Sequence, residues 1–182
     1  MMLVDYASSG VGPYRELLFV PGRFRIAGRK YPVITRIVVS TQASVDSGRA
    51  NWAIPKEIAD FQIEESARDQ RWKVTQNDDV LYEVSVATRG PALPVTTRIL
   101  PKSWATVAQP RDETFLLTHL QSRGWARLAR LTIHDSGHGF PDLSKGRLML
   151  AAAIGRFRMT FPVPAVLKAS CPRGGGGRPE DR

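Results

Sequence analysis

The sequence predicts a mainly β protein, in which an antiparallel sheet curls or closes into a barrel-like shape with one or two short helices. Apolar and polar side chains alternate along most of the chain, which is the pattern of strands with one buried face. β-Branched and aromatic residues dominate these segments. Clusters of Pro, Gly, Asn and Asp separate them. Helix signals are few, so the fold class depends on the strands.

The first predicted strands lie in the N-terminal half. Residues 14–20 are apolar and aromatic, and residues 33–40 are β-branched at almost every position. Residues 71–76 and 80–88 flank Asn-Asp-Asp at 77–79, whose residue types suit a tight hairpin turn. These segments predict the first part of the sheet and one hairpin.

The C-terminal half contains a second candidate hairpin. Residues 114–120 and 125–134 are strand-like, and Ser-Arg-Gly at 122–124 predicts a turn between them. Proline residues occur through 90–101 and again at Pro110, so we expect loops or sheet edges there.

Two segments are candidates for helices. Residues 55–59 place a Pro at the first helical position and an acid in the first turn, which favours a short helix. Residues 148–157 suit either a helix or a buried strand, and periodicity does not decide between them. We divide the chain into one β domain over 1–167 and a disordered Gly/Arg-rich tail over 168–182.

Composition is that of an ordinary globular protein. The chain has 182 residues, of which 42% are apolar, and one cysteine, Cys171, which excludes an internal disulfide and a Cys-rich zinc site. No apolar run reaches the ~18 residues of a membrane span, and no signal peptide is evident. We therefore expect a cytoplasmic protein without a membrane partner. Strand-like residues begin almost at Met1, so we expect an upstream segment to be absent.

The formal net charge of +9 raises the question of nucleic-acid binding. The basic residues are spread along the chain, and no DNA- or RNA-binding motif accompanies them. A basic surface without a specific nucleic-acid partner is the preferred interpretation.

The His-Asp-Ser-Gly-His run at 134–138 is too compressed for a catalytic triad and lacks a nearby third zinc ligand, so we expect a turn.

Lys56 is the residue with the clearest chemical signal. It lies inside an apolar run, where an ammonium group is costly to bury. A pKa near 7 needs a shift of ~3.4 units, which desolvation can supply in fully buried sites. Lys56 is then a candidate amine nucleophile for a carbonyl carbon. The alternative is a lysine that reaches solvent and pairs with Glu57 or Asp60.

Two motifs resemble those of a known family. Gly-Arg at 48–49 followed by Ile-Pro-Lys at 54–56 is similar to the Gly-Arg-Glu…Pro-Lys-Lys signature of the acetoacetate decarboxylase family. Gly-Pro-Tyr-Arg-Glu at 12–16 resembles that family's earlier Gly-x-Tyr-x-Glu element. The similarity extends diffusely over about residues 1–167.

The resemblance implies a barrel-like β fold and a lysine that forms a Schiff base with a β-keto acid. Lys56 lies at the position of that lysine, and Glu16 matches an active-site glutamate that positions substrate or manages protons. Arg49 matches the signature arginine, with a structural hydrogen bond as its alternative role. We add Tyr14 and Trp52 as substrate-binding candidates. The resemblance implies no metal and no organic cofactor, and a small-molecule keto acid as partner. Exposed β edges, or a core left open by an absent N-terminal segment, would favour a possible homo-oligomer.

Departures from the family pattern leave other functions open. Glu57 replaces the second lysine of the signature, and by motif spacing the family's N-terminal arginine and second glutamate would lie before or at Met1. Schiff-base aldol or dehydratase chemistry is therefore one alternative to decarboxylation. A non-catalytic binding or vestigial member of the same fold is the other.

Overall fold

The computed structural model describes residues 1–67, 69–137, 140–142 and 150–168. Within these ranges the chain is mainly β, which confirms the predicted fold class. None of the helices in these ranges is long and apolar enough to cross a membrane. The described elements are β1 (Met2–Tyr6), β2 (Tyr14–Phe19), β3 (Arg23–Ile26), β4 (Arg29–Pro32), β5 (Arg36–Val39), α1 (Gln42–Trp52), β6 (Lys56–Ile58), β7 (Asp60–Glu65), β8 (Asp69–Gln76), β9 (Asp79–Thr96), a 3₁₀ helix (Thr97–Ile99), β10 (Thr106–Arg111), β11 (Thr114–His119), β12 (Gln121–Ser136), β13 (Ala152–Thr160) and β14 (Ala165–Lys168).

The strands form a curled, antiparallel half-barrel. One large sheet has the order β1-β2-β5-β6, and its β5–β6 pair is parallel. The other large sheet has the order β13-β12-β9-β8-β7 and is antiparallel throughout. Two smaller sheets, β10-β11-β14 and β3-β4, complete the described part of the fold.

The four-stranded sheet is buried on both faces. Leu17 and Val38 pack on one face, in a cluster with Trp72 and other residues of the five-stranded sheet. Their chain neighbours Leu18 and Ile37 pack on the opposite face in a second cluster. Side chains alternate along a strand, so two buried faces require the continuous apolar runs seen in β2 and β5. Any polar residue in these runs must therefore find its partner inside the protein.

The predicted helix at 55–59 is wrong, since the described α-helix, α1, spans Gln42–Trp52. The Pro that suggested a helix start instead follows a helix end, where proline is also common. Ala53 ends α1 in the left-handed region with φ 53°, and its N–H donates to Arg49 O. The chain after Pro55 then forms β6, in register with β5.

The hairpin predicted around residues 77–79 is confirmed. β8 pairs with β9, with Gln76 opposite Asp79. Asn77 and Asp78 have φ of 52° and 67°. Two successive left-handed residues define the tight turn whose twist matches that of the flanking strands.

The predicted second hairpin is wrong. β11 pairs with β10 and β14, whereas β12 pairs with β9 and β13. The turn before β11 lies at Asp112, which has φ 51°. The Ser-Arg-Gly sequence at 122–124 lies inside β12, where the register with β13 shifts between Arg123 and Trp125. The polar residues there mark a β-bulge and not a turn.

For residues 90–101 the sheet-edge alternative is confirmed over the first part, because β9 continues to Thr96. Residues 93–96 pair with β12, while β8 pairs with β9 only as far as Ala87. The proline-containing part of β9 is thus an edge, where a missing N–H is tolerated.

Residues 152–157 form a strand, which decides between the helix and the strand predicted as alternatives for residues 148–157. The predicted tail lies outside the described residues from position 169 onward.

Candidate active site

Lys56 and Glu16 reach one another across β5. Glu16 on β2 lies opposite Val39 of β5, and Lys56 on β6 lies opposite Ile37 of the same strand. Val39 and Ile37 are two residues apart and share a face of the sheet. The register therefore places the lysine and the glutamate on the face that α1 covers.

The ammonium nitrogen of Lys56 is enclosed by polar and aromatic groups. Nζ donates to Ser44 Oγ of α1 at 2.9 Å and lies 3.5 Å from Glu16 Oε2. Nζ also lies 4.8 Å from the ring centroid of Tyr14. Lys56 is 6% exposed and Glu16 is 3% exposed. The lysine is therefore buried in the sheet and does not extend to solvent.

Burial determines the protonation equilibrium of this pair. Desolvation lowers the pKa of Lys56, and the charge and hydrogen bonding of Glu16 oppose that effect without reversing it. Desolvation also raises the pKa of Glu16, against the opposing influence of Lys56. Both shifts favour the uncharged form of each group. A neutral amine beside a protonated carboxyl is thus favoured relative to two isolated residues in water.

Two tyrosines complete the polar wall. Tyr6 Oη donates to Glu16 Oε1 at 3.2 Å, and the rings of Tyr6 and Tyr14 stack with centroids 4.7 Å apart. Burial, and then the charge of Glu16, raise the pKa of both phenols well above the ordinary value. Both hydroxyls therefore remain protonated and able to donate at any physiological pH.

A cavity of about 300 Å³ has Lys56 in its lining. Trp52 closes one side, with its indole N–H donating to Pro162 O at 3.0 Å and its ring edge against Phe161. The volume suits a small organic molecule. Its lining residues are Tyr6, Ser8, Ser9, Gly10, Val11, Tyr14, Ser44, Ser47, Gly48, Trp52, Ile54, Lys56, Met159, Thr160 and Phe161.

The predicted site residues do not all reach this cavity. Lys56, Tyr14 and Trp52 line it, and Glu16 contacts Lys56 from behind. Arg49 does not line it; its Nε donates to Lys56 O at 2.8 Å. This contact fixes the backbone of β6 beneath the lysine. A direct role of Arg49 in substrate binding stays a prediction.

Glu57 faces away from Lys56, as expected for adjacent residues of a strand. Its carboxylate accepts from Arg36 at 2.7 Å and from Gln76 at 3.2 Å. The glutamate that replaces the second lysine of the family signature is therefore occupied by other partners. The causes of the lowered pKa of Lys56 are its burial and the opposing effect of Glu16, and Glu57 is not among them.

The sequence analysis missed Ser44, Tyr6 and Gly48. Gly48 is the most informative, since a Cβ there would lie 2.6 Å from Lys56 Cδ. Its place in the Gly-Arg motif was a usable signal. Ser44 and Tyr6 carry no local signal, because their link to Lys56 and Glu16 is made only by tertiary folding.

The motif at 134–138 forms no second site among the described residues. His134 and Asp135 lie within β12 and not in a turn, and Ser85 Oγ lies 2.8 Å from His134 Nε2. His138 lies outside the described residues. In the described ranges, no three His, Cys, Asp or Glu side chains form a group that could hold a metal ion.

Comparison with known proteins identifies the class to which this fold and site correspond. The family model of acetoacetate decarboxylase matches residues 1–141. The chain therefore belongs to the acetoacetate decarboxylase family. No curated protein sequence matches it significantly.

Solved structures share the fold at low sequence identity. Acetoacetate decarboxylase from Legionella pneumophila is 15% identical with a TM-score of 0.65, over 92% of this chain and 72% of that one. Another acetoacetate decarboxylase structure is 13% identical with a TM-score of 0.59, over 92% of this chain and 74% of that one. The enduracididine biosynthesis enzyme MppR, complexed with pyruvate, is 13% identical with a TM-score of 0.55, over 87% of this chain and 68% of that one. Such identities show a common fold, and the reaction must be argued from the site.

Proposed function

We propose that the protein is a Schiff-base-forming lyase that decarboxylates a β-keto acid, with Lys56 as its nucleophile. The observation that carries this proposal is a lysine that is 6% exposed, lines a cavity of about 300 Å³ and has its Nζ beside a buried carboxyl group. Acetoacetate decarboxylase is itself the standard example of a desolvated nucleophilic lysine, so the mechanism is shared with the family and is not new here.

Formation of the imine uses both members of the buried pair. The Lys56 ammonium gives a proton to Glu16, and the neutral Nζ adds to the keto carbon. The added nitrogen then gives a proton to the former carbonyl oxygen, which becomes the hydroxyl of a neutral carbinolamine. Protonated Glu16 then returns its proton to this hydroxyl, which leaves as water and produces the iminium ion. The 3.5 Å separation of Nζ and Glu16 Oε2 suits this exchange after slight movement.

Decarboxylation follows without a further cofactor. The bond to the carboxylate carbon breaks, carbon dioxide leaves, and the electron pair moves into the iminium group to give an enamine. Protonation of the enamine carbon restores the iminium ion. Hydrolysis by water then releases the ketone and restores the Lys56 ammonium beside the Glu16 carboxylate. Tyr6 and Tyr14 line the cavity, and both hydroxyls stay protonated, with that of Tyr6 donating to Glu16.

The first test is release of carbon dioxide from acetoacetate by the purified protein. Lys56→Gln should abolish release, whereas Lys73→Gln on β8 removes the same charge outside the cavity and should retain it. Equal activity in both variants would contradict a role for Lys56. Inactivity of the wild type toward several β-keto acids would contradict the decarboxylase assignment.

Schiff-base aldol or dehydratase chemistry is the second candidate. Among the described residues no arginine lines the cavity, so none of their guanidinium groups would hold a substrate carboxylate there. The related enzyme MppR has also been solved with the condensation product of pyruvate and imidazole 4-carboxaldehyde. Here proton loss, and not loss of carbon dioxide, would generate the enamine. A Lys56-dependent condensation of pyruvate with an aromatic aldehyde, without carbon dioxide release from acetoacetate, would favour this candidate.

A further inference from the structure

A second, larger cavity lies beside the lysine pocket. It has a volume of about 900 Å³ and is formed by the ends of β9, β12 and β13 with the 3₁₀ helix. Thr160 lines both cavities, so they are neighbours on the same side of the fold. We call the larger cavity the arginine groove, after Arg98, Arg123, Arg156 and Arg158 in its lining.

The arginine groove is strongly and uniformly positive. The described residues of its lining include these four arginines and no Asp or Glu. In the described ranges, none of the four guanidinium groups has an ion pair or side-chain hydrogen bond. Some other described arginines are paired, such as Arg36 with Glu57 and Arg71 with Glu83. The groove therefore concentrates positive charge that the described protein groups do not neutralise.

The strand register increases this concentration of charge. Arg123 of β12 lies directly opposite Arg158 of β13, and like charges opposite one another destabilise an antiparallel pair. The bulge next to this pair brings Arg156 into the same groove. An arrangement that costs stability in the free protein is expected where a bound anion offsets the repulsion.

We propose that the arginine groove binds a small organic polyphosphate. Guanidinium groups recognise phosphate through paired, charge-assisted hydrogen bonds, and several of them match a ligand with several negative charges. Trp125, which is 49% exposed, adds an aromatic face to the lining and suits a ligand with a planar ring. The shared wall at Thr160 allows either of two sources, a phosphate-bearing handle on the keto substrate or a separate ligand bound next to the lysine pocket.

The test is calorimetric titration of the wild-type protein with pyrophosphate, ATP and adenosine at low salt. ATP and pyrophosphate should bind and adenosine should not. In the double variant Arg123→Gln/Arg158→Gln the dissociation constant for ATP and for pyrophosphate should rise about tenfold or more. A tenfold rise corresponds to the loss of about one charge-assisted hydrogen bond. Arg127→Gln/Arg130→Gln is the matched control, because it removes the same charge from β12 outside the groove. Its affinity should equal that of the wild type.

Three results would overturn the proposal. These are no binding of either phosphate compound, an equal loss in both double variants, and binding of a single-stranded oligonucleotide in preference to ATP. Melting temperatures without ligand guard against misfolding, and the Arg123→Gln/Arg158→Gln variant should melt no lower than wild type because it loses a like-charge pair. A lower value would contradict the inferred repulsion.

Reductive trapping with borohydride then distinguishes the two sources. If the phosphate belongs to the substrate, acetoacetyl-coenzyme A modifies Lys56 at lower concentration than acetoacetate, and the groove variant loses that difference. If the phosphate compound is a separate ligand, the two ketones behave alike while ATP still binds. Both results support the groove as a site. Because ATP binding does not require an imine, failure of the Schiff-base mechanism would leave this inference standing.

Discussion

At the scale of single residues, Lys56 and Glu16 form a buried pair in which desolvation opposes charge on both partners. An ordinary surface ion pair would stabilise two charges weakly. Here burial favours the neutral amine and the protonated carboxyl, which are the nucleophile and the acid that imine formation requires. Ser44 and Tyr6 hold the two groups in position through hydrogen bonds of 2.9 Å and 3.2 Å.

Glu16→Gln should separate nucleophile activation from proton transfer. The substitution removes the negative charge that raises the Lys56 pKa, so that pKa should fall further and imine trapping should extend to lower pH. Carbon dioxide release should fall by about 10²-fold or more, because the proton acceptor is lost. Both quantities are measured across a pH series. Glu57→Gln is the control, and a matching change there would contradict the assignment to Glu16.

Gly48→Ala tests the close approach of α1 to the lysine side chain. The added Cβ would lie 2.6 Å from Lys56 Cδ, so the lysine must move away from Ser44 and the cavity. Imine trapping should slow by about tenfold or more, as expected when a reacting group is displaced. Gly10→Ala is the matched control, since Gly10 lines the same cavity with nothing within 4 Å of a Cβ there. Equal rates in the two variants would contradict a positioning role for Gly48.

At the scale of elements, the connection between α1 and β6 determines where the lysine lies. α1 ends at Ala53, whose φ of 53° is costly for a residue with a Cβ. Arg49 then donates from the last turn of α1 to Lys56 O at 2.8 Å, which ties the helix end to the start of β6. The parallel pairing of β6 with β5 sets the depth of the lysine in the sheet.

Ala53→Gly should stabilise the protein by roughly 0.5–1 kcal/mol, because glycine adopts the left-handed conformation without steric cost. Ala50→Gly, an exposed position within the same helix, should destabilise it by about 1 kcal/mol. The two melting temperatures should therefore shift in opposite directions. Shifts of the same sign would contradict the assigned end of α1.

The positions of these elements were only partly predictable. The strand class and the turn at 77–79 follow from local residue type and period, and both are confirmed. The helix was missed because Gln42–Trp52 contains Ser, Asp, Gly and Asn, which are poor helix formers. Its buried positions are the small residues Ser44 and Gly48 with Val45, and this gives almost no apolar stripe. Packing against β5 and β6 stabilises a helix that its sequence alone does not predict.

At the scale of the whole molecule, burying Lys56 and Glu16 should lower the free energy of unfolding. In the Lys56→Met variant Glu16 remains buried alone with a raised pKa, so the folded state holds a proton that the unfolded state releases. The stability of this variant should therefore be greatest near or below pH 4.5 and be lost as pH rises through the folded pKa. Adding Glu16→Gln should remove this pH dependence.

At pH 7, the Glu16→Gln/Lys56→Met double variant should be at least as stable as wild type, since replacing a buried ion pair is often neutral or stabilising. The measurement is denaturant unfolding of the wild type and the three variants. A double variant less stable than either single variant would contradict this account.

The sequence predicted the site residues that lie in local motifs. It did not predict the residues that come together only through tertiary folding. The buried lysine and Glu16 were reached through their motifs, and the register across β5 brings them together. Tyr6 joins Glu16 from β1, which pairs with β2 in a way that the sequence does not specify. The arginine groove was invisible for the same reason, because Arg98, Arg123 and Arg158 meet only in the folded sheet.

The central claim is that Lys56 forms an imine with a keto acid, and borohydride trapping tests it most directly. The folded protein is treated with borohydride in the presence of acetoacetate, with pyruvate and no-substrate controls, and its peptides are mapped by mass. We expect a substrate-dependent adduct on the Lys56 peptide. Lys30, Lys73 and Lys102 serve as internal references and should stay unmodified. An adduct spread evenly over Lys56 and the three reference lysines, or no adduct on the Lys56 peptide, would contradict imine formation at Lys56.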